Sequence, residues 1–372
     1  MDITDIKAEN IKKILNTLRF SSGMTKHDIA LTTGLSFSTV SNLCNELKEN
    51  QVLYEEKLND YSVGRTPSQL IFSGEKYCSI CVDLQQEDVL NFAVLDFSNN
   101  RLYETHLNTS RFYDISQWIS FIDDTYQSLL QSSDFSGVQF VGIGVSVPGI
   151  YDRTTGHVVN CTSSALNHIP LRSMLSERLG LPCFVDNESN LCALSVRLSH
   201  EDNDNIVYLH SSSGLGVGII CDGKLLRGSN GYAAEVSHVP LGDPKIVCPF
   251  CASRGCVESD LAQRGMDVLQ FPALTAEERQ RLIQDRGQKL GELLSILINL
   301  FDPTALYIGG NAMAEYEAMS PHVISILNQR SHLIMGRGLQ IFHDTNSVQT
   351  IERGINQIIY ENWNPGKNSL NC

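Results

Sequence analysis

Cys248, Cys251 and Cys256 fall within nine residues, in the stretch CPFCASRGCVES that ends at Ser259. Three thiols so close together suit three kinds of chemistry: thiolate binding of a metal ion, a redox pair, or three unrelated thiols buried in a core. The chain has eleven cysteines in 372 residues. An odd count in so long a chain argues against a disulfide framework and for free thiols with room for one metal site.

Holding such groups in place requires a folded scaffold, and the composition is that of one. At 42% hydrophobic and 19% charged, the chain can bury a large core and exceeds one typical domain. No apolar run reaches the ~18 residues of a membrane span. The best candidate, 293–300, contains Ser295 and Asn299 and then meets Asp302-Pro303, so no membrane partner is expected. The opening MDITDIKAENIKKIL places acids where a signal peptide needs a basic start, and a reducing, cytoplasmic location is expected.

From Tyr77 onward, apolar runs of strand length recur: CSICVDL, LNFAVLDF, VQFVGIGVSVPGI, CFVDN, NIVYLHSS, GVGIICDG and ALYIGG. Helical patterns alternate with them at 115–131, 170–180, 188–198, 258–269 and 276–300. Strand hairpins mixed with strand–helix repeats predict an α/β protein of two lobes rather than a pure parallel sheet.

The first 75 residues follow a different pattern. Ile11, Ile14, Leu15 and Leu18 mark an amphipathic helix over 10–19. Thr25 can cap a second helix that Gly34 ends, and Ser36 starts a third with Val40, Leu43 and Leu47 facing inward. This is a helix-turn-helix. Its last helix offers Ser36, Phe37, Ser38, Thr39, Ser41 and Asn42 outward, side chains that can reach base edges and phosphates in a major groove. The stretch QVLYEEKLNDYSVGRTPSQLIFS then predicts a hairpin or wing with its tip at Asn59-Asp60, followed by a linker near 62–67. Residues 1–75 hold 8 Lys+Arg against 10 acids, a net of −2 within a chain of net −14, so the acidity that would repel DNA lies mainly elsewhere. A packing or dimerisation module without DNA is the alternative reading of this segment.

Five stretches occur in order: VGIGVSVPGIYDRTTGHVV, LRSMLSERLGLPCFVDNESN, SSGLGVGIICDGKLLRGSNGYAAEVSH, the cysteine cluster and FDPTALYIGGN. On these stretches the whole chain resembles the ROK family (repressors, open reading frames, sugar kinases), in its transcriptional-regulator branch. The resemblance implies a winged helix-turn-helix over 1–72 and a two-lobed, actin-like sugar-kinase-type sensor over 73–372. The family's cysteine cluster takes a fourth ligand from a preceding His. Here that is His238, ten residues before Cys248, so His238, Cys248, Cys251 and Cys256 form a candidate structural Zn2+ site with no open position. Against the family pattern, one residue is inserted between the first two cysteines, and Ala252 and Ser237 stand in place of glycines.

By the same resemblance, Asn187, Glu188, Glu235, His238 and Glu258 are the candidate sugar ligands. Glu188 stands where the family's kinases have a catalytic Asp, a change that lengthens the carboxylate by one methylene and misplaces it for catalysis. A solvated carboxylate favoured by a helix start is the alternative for Glu188. Where those kinases read Asp-x-Gly-Gly-Thr to cradle phosphate, this chain reads Asp83-Leu84-Gln85-Gln86-Glu87-Asp88, without glycine and with two added carboxylates. The expectation is therefore a sugar-responsive regulator, catalytically inactive, probing an inverted-repeat operator as a homodimer or tetramer. A sugar kinase with an accessory DNA-binding domain is the alternative.

Overall fold

In the computed structural model, residues 3–57, 68–86, 89–108, 114–159, 161, 166–198, 204–248, 251–262 and 274–365 are described. Three helices open the chain: α1 (Ile3–Arg19), α2 (Lys26–Thr33) and α3 (Phe37–Glu49). Each boundary has a chemical cause. Thr25 and Asp28 form a reciprocal capping box at the start of α2, and Gly34 ends it at φ 69, a left-handed conformation that glycine adopts without strain. Ser36 caps α3 by accepting a hydrogen bond from the Thr39 N–H at 3.1 Å. Val40, Leu43 and Leu47 are buried against Ile14, Leu15 and Leu18 of the first helix. Strands β1 (Leu53–Lys57) and β2 (Ser68–Phe72) pair antiparallel as the wing, with Lys57 opposite Ser68. The expected tip at Asn59-Asp60 and the expected linker near 62–67 lie outside the described residues, between these two paired strands.

Two five-stranded sheets follow. The first has the order β5-β4-β3-β6-β9, built from β3 (Tyr77–Gln86), β4 (Val89–Asp96), β5 (Arg101–Asn108), β6 (Gln139–Val147) and β9 (Cys183–Asn187). A short hairpin, β7 (Ile150–Asp152) with β8 (His157–Val159), stands beside it. The second has the order β12-β11-β10-β13-β14, built from β10 (Ile206–Ser211), β11 (Leu215–Cys221), β12 (Lys224–Leu225), β13 (Ala305–Gly309) and β14 (Gln340–Asp344). In each sheet an antiparallel meander is continued by two parallel strands, so the two lobes share one topology.

Helices fill the layers. On the first sheet's outer face α4 (Ile115–Gln131) and α5 (Leu171–Leu179) bury Trp118, Ile122, Leu171 and Leu175. The segment expected as a helix over 258–269 is described as helix for Glu258–Leu261 (α7), and 263–273 lie outside the described residues. Then come α8 (Ala276–Phe301), α9 (Tyr316–Arg330), the four-residue α10 (His332–Met335) and α11 (Ser347–Asn362). α8 and α9 cover the second sheet. Between the lobes, α6 (Glu188–Arg197) packs on the second sheet and α11 on the first, and the two helices pack on each other.

α11 also carries the N-terminal helices. Lys12 donates to the Tyr360 carbonyl, the Tyr360 hydroxyl donates to Asn16 Oδ1 at 3.0 Å, and Arg19 lies over the Tyr360 ring at 4.0 Å. Phe72, Tyr77, Phe97, Tyr360 and Trp363 form one aromatic cluster beneath this contact. The buried cluster is continuous from α1 into the first lobe. No described helix is long and apolar enough to cross a membrane.

Candidate functional site

The turn from β9 into α6 is the first wall of the cleft between the lobes. Asp186 is buried, accepts from the Asn187 N–H at 3.0 Å and from Asn190 Nδ2 at 2.9 Å, and pairs with Arg227 at 2.5 Å. Asn187 Oδ1 accepts from the Asn190 N–H at 2.8 Å and caps α6. Its oxygen is thereby used by the fold, leaving its amide N–H2 as the group that can serve a ligand. Glu188 is the first helical residue, where the helix dipole favours a negative charge. Burial outweighs the dipole: its Oε2 is sealed from solvent with no hydrogen-bond partner, and desolvation, aided by the charges of Asp83 and Glu235, pushes its carboxyl up to about 8.

The opposite wall comes from the 213–258 region. Glu235 is exposed at the mouth of the cleft, yet partial desolvation by the surrounding atoms and the neighbouring charge of Glu258 push it up to about 7. Asn187, Glu188, Glu235, His238 and Glu258 all line one cleft of about 70 Å³. The structure thus brings together every residue expected to face a sugar. Reading by motif missed Ser213, which also lines the cleft and has a buried Oγ without a hydrogen-bond partner. It also missed Asp186 and Arg227, whose contacts are made across the fold and leave no signal in local spacing. Gly218 of β11 has a structural task, because a Cβ there would overlap the Ser189 carbonyl of α6.

Beside the cleft, the ligand atoms of His238, Cys248, Cys251 and Cys256 lie within 4.8 Å of one another. His238 Nδ1 is 3.7 Å from Cys248 Sγ, and Cys251 Sγ is 3.4 Å from Cys256 Sγ. A tetrahedral Zn2+ site with bonds of about 2.1–2.3 Å has donor–donor edges of roughly 3.5–3.8 Å, so one edge matches and the other is slightly compressed. The loop is tied down by backbone hydrogen bonds from Cys248 N to Ser253 O, Gly242 N to Gly255 O and Val257 N to Val239 O. It leads directly into α7, whose first residue is Glu258. Because Nδ1 faces the cysteines, the other ring nitrogen of His238 remains for the cleft. This donor set can hold a metal ion.

On α3, Phe37, Ser38 and Asn42 are exposed, whereas Thr39 and Ser41 are half-buried. Ser36 is exposed but engaged as the cap, and Ser41 accepts from Lys26 Nζ at 3.3 Å. Ser38 Oγ and Thr39 Oγ1 lie 2.9 and 2.8 Å from Ser36 Oγ, so of the six outward residues Phe37 and Asn42 are open to a partner and the other four have local partners.

Comparison with known proteins agrees with this architecture. The chain is 26% identical to the xylose repressor of Caldicellulosiruptor bescii, over 91% of this chain and 92% of that protein. A ROK family transcriptional regulator described as a homologue of the E. coli MLC protein superposes with a TM-score of 0.80 at 20% identity, covering 95% of this chain and 96% of that one. A ROK family glucokinase from Streptomyces griseus, solved with glucose and AMPPNP, superposes with a TM-score of 0.59 at 21% identity, covering 76% of this chain and 99% of that one. The fold is a winged helix-turn-helix followed by a two-lobed, actin-like α/β domain. The ROK family profile matches residues 79–336, and the chain belongs to the ROK family.

Proposed function

We propose that the chain is a sugar-responsive transcriptional repressor, with residues 1–72 as the head that binds operator DNA and residues 73–372 as the sensor. The observation that carries this reading is the convergence of Asn187, Glu188, Glu235, His238 and Glu258 in one interlobe cleft, on a chain whose curated relative is named a xylose repressor. Two carboxyls held near neutrality, an amide and an imidazole offer both donors and acceptors to the hydroxyls of a neutral pyranose. An epimer that leaves one of them unpaired loses ~1–3 kcal/mol, which makes the cleft stereoselective. The cleft is open to solvent between the lobes, and a sugar held by both walls favours their closure.

The cysteine cluster takes Zn2+ in this reading. Four protein donors leave no open position, so the ion's part is to stiffen the loop that presents His238 and Glu258. In the head, Phe37, Ser38 and Asn42 read bases in the major groove, with Ser36, Thr39 and Ser41 supporting the helix or reaching phosphates. Two heads in a homodimer match the two halves of an inverted repeat. The connection between the halves is contiguous: α6 begins at the cleft, packs on α11, and α11 holds α1. A sugar that binds one lobe arrangement better than the other shifts the heads only as far as that difference in affinity allows, and the inducer favours the arrangement that does not fit the operator.

Phosphoryl transfer is not part of this reading, because Glu188 stands in the place of the kinases' Asp and the end of β3 carries no glycine for a phosphate to approach. Selection from random double-stranded DNA tests the proposal. The purified protein should enrich an inverted repeat, lose discrimination when Ser38 and Asn42 are both changed to Ala, and release the repeat with one member of a panel led by D-xylose and D-glucose. Enrichment of no motif, or ADP production from ATP with any sugar of the panel, would refute it.

A further inference from the structure

A head that binds DNA must set cations against the phosphate backbone, and most of the head's lysines and arginines are already engaged. Lys7 pairs with Glu46 at 2.7 Å, Lys13 with Glu9 at 3.1 Å, and Lys48 with Glu55. Lys12 and Arg19 are held at the junction with α11, Lys12 on the Tyr360 carbonyl and Arg19 on Gln357 Oε1. Arg65 lies outside the described residues. Lys26 of α2 and Lys57 at the end of β1 remain. Among the described residues neither has a carboxylate within ion-pair distance.

Of these two, Lys26 is fastened to the face of α3. Ser38, Ser41, Asn42 and Asn45 follow the i, i+3, i+4, i+7 spacing of one helix face, on the side opposite the buried Val40, Leu43, Cys44 and Leu47. Every side chain of that face is neutral. It can hydrogen-bond base edges, yet it brings no charge to a backbone that carries one negative charge per ~1.7 Å. Lys26 Nζ lies 2.8 Å from Asn45 Oδ1 and 3.3 Å from Ser41 Oγ, both on this face. An ammonium has three N–H donors and no acceptor, so two are met by neutral oxygens and the third remains, with the charge. Glu55 is held below the ordinary carboxylate range by the hydrogen bonds of Lys48 and Ser68 and, less strongly, by the charge of Lys26, but its two oxygens are taken by Lys48 and Ser68.

We propose that Lys26 is the backbone anchor of each head: with the neutral face of α3 in the major groove, its ammonium donates to a DNA phosphate at the groove's edge. This rests on the operator reading above and names the contact that supplies its affinity. Because Ser41 and Asn45 hold the ammonium against the base-reading face, the phosphate contact also sets the register of α3 along the groove, while carrying no sequence information itself. A head with so few uncommitted cations binds DNA with a shallow salt dependence, to which Lys26 is a large contributor.

The test is the affinity of the full chain for its selected operator and for an unrelated duplex of equal length, measured from ~50 to ~200 mM salt. Lys26→Gln should lower the slope of log K against log salt by ~0.9 per head and weaken binding about tenfold per head near ~0.1 M salt, on both duplexes alike. Lys26→Met, a second neutral variant, should do the same. Lys26→Arg, which keeps the charge, should keep the wild-type slope, and so should Lys13→Gln, which removes a lysine already paired with Glu9. Thermal melts of each variant confirm that the head is folded. A wild-type slope in both neutral variants, a slope reduced equally in Lys26→Arg, or weakening confined to the operator overturns the proposal and leaves the operator reading standing. A wild type that binds neither duplex overturns both.

Discussion

Replacing Glu188 by Gln should remove a specific pH dependence of folding. In the folded protein burial holds this carboxyl up to about 8, whereas the unfolded chain titrates at the ordinary 4.5. Between those values the folded state keeps a proton that the unfolded state has lost, so folding takes up a proton and stability falls as pH rises from about 4.5 through 8. Each pH unit across that interval is worth ~1.4 kcal/mol, which sets a ceiling on the order of 5 kcal/mol. Glu188 as a whole is only half-buried, and water can follow its exposed part, so a realized loss of about 1–2 kcal/mol, a few degrees in Tm, is expected. Glu235 is raised to about 7 by desolvation and by the charge of Glu258, but its side chain is exposed, so solvent screening leaves it a smaller slope in the same direction. Thermal melts from pH 5 to pH 8.5 on wild type, Glu188→Gln and the double Glu188→Gln/Glu235→Gln variant measure it. Buried His210, lowered to about 4, and Lys12, lowered to about 7, contribute slopes of the opposite sign, so the expected outcome is a difference: relative to wild type, the single variant should become more stable as pH rises, and the double variant more so. Variants with the wild-type slope would refute the reasoning.

Two further outcomes follow from the geometry of the metal-competent loop and the turn that faces it. Purified protein should carry about one Zn2+ per chain through His238, Cys248, Cys251 and Cys256, and Cys256→Ser should lower Tm and release the metal, because a closed site contributes directly to folding; metal analysis well under half an equivalent would contradict this. Ala252 at φ 58 and Ala234 at φ 64 occupy left-handed backbone that costs a side chain ~1–2 kcal/mol. Ala252→Gly and Ala234→Gly should each be neutral to stabilizing by about 1 kcal/mol in denaturant titration, net of the entropy that glycine adds to the unfolded chain.

Much of this architecture can be read from residue types alone, and the parts that cannot have a common cause. Thr25, Gly34 and Ser36 announce the helix boundaries of the head because caps and left-handed turns are local chemistry. The buried strands β3, β4, β6, β10 and β13 are legible because continuous apolar runs have few other uses. β5 is less legible: it is an edge strand whose exposed and half-buried residues alternate without an apolar stripe. The repeated topology of the two lobes is also hidden, since strand order leaves no mark on residue identity. The cleft residues are recognised through motif resemblance, but the division of labour among them is not. That Asn187 spends its oxygen on a cap, or that Glu188 keeps a sealed oxygen, depends on packing. α11 is the clearest case. Ile351, Ile355 and Ile359 give it a plain helical stripe, yet its role as the support of α1 rests on contacts such as Tyr360 to Asn16, separated by more than 300 residues of chain.

Control of the head by the interlobe cleft is what makes the proposed repressor respond to sugar. It is tested by measuring operator affinity for wild type and for Glu235→Ala/Glu258→Ala, each with and without the sugar that releases the wild type. Without sugar both proteins should bind the operator with equal affinity; with sugar the wild type should be released and the double variant should not respond. An identical response of the two proteins to the sugar would contradict it.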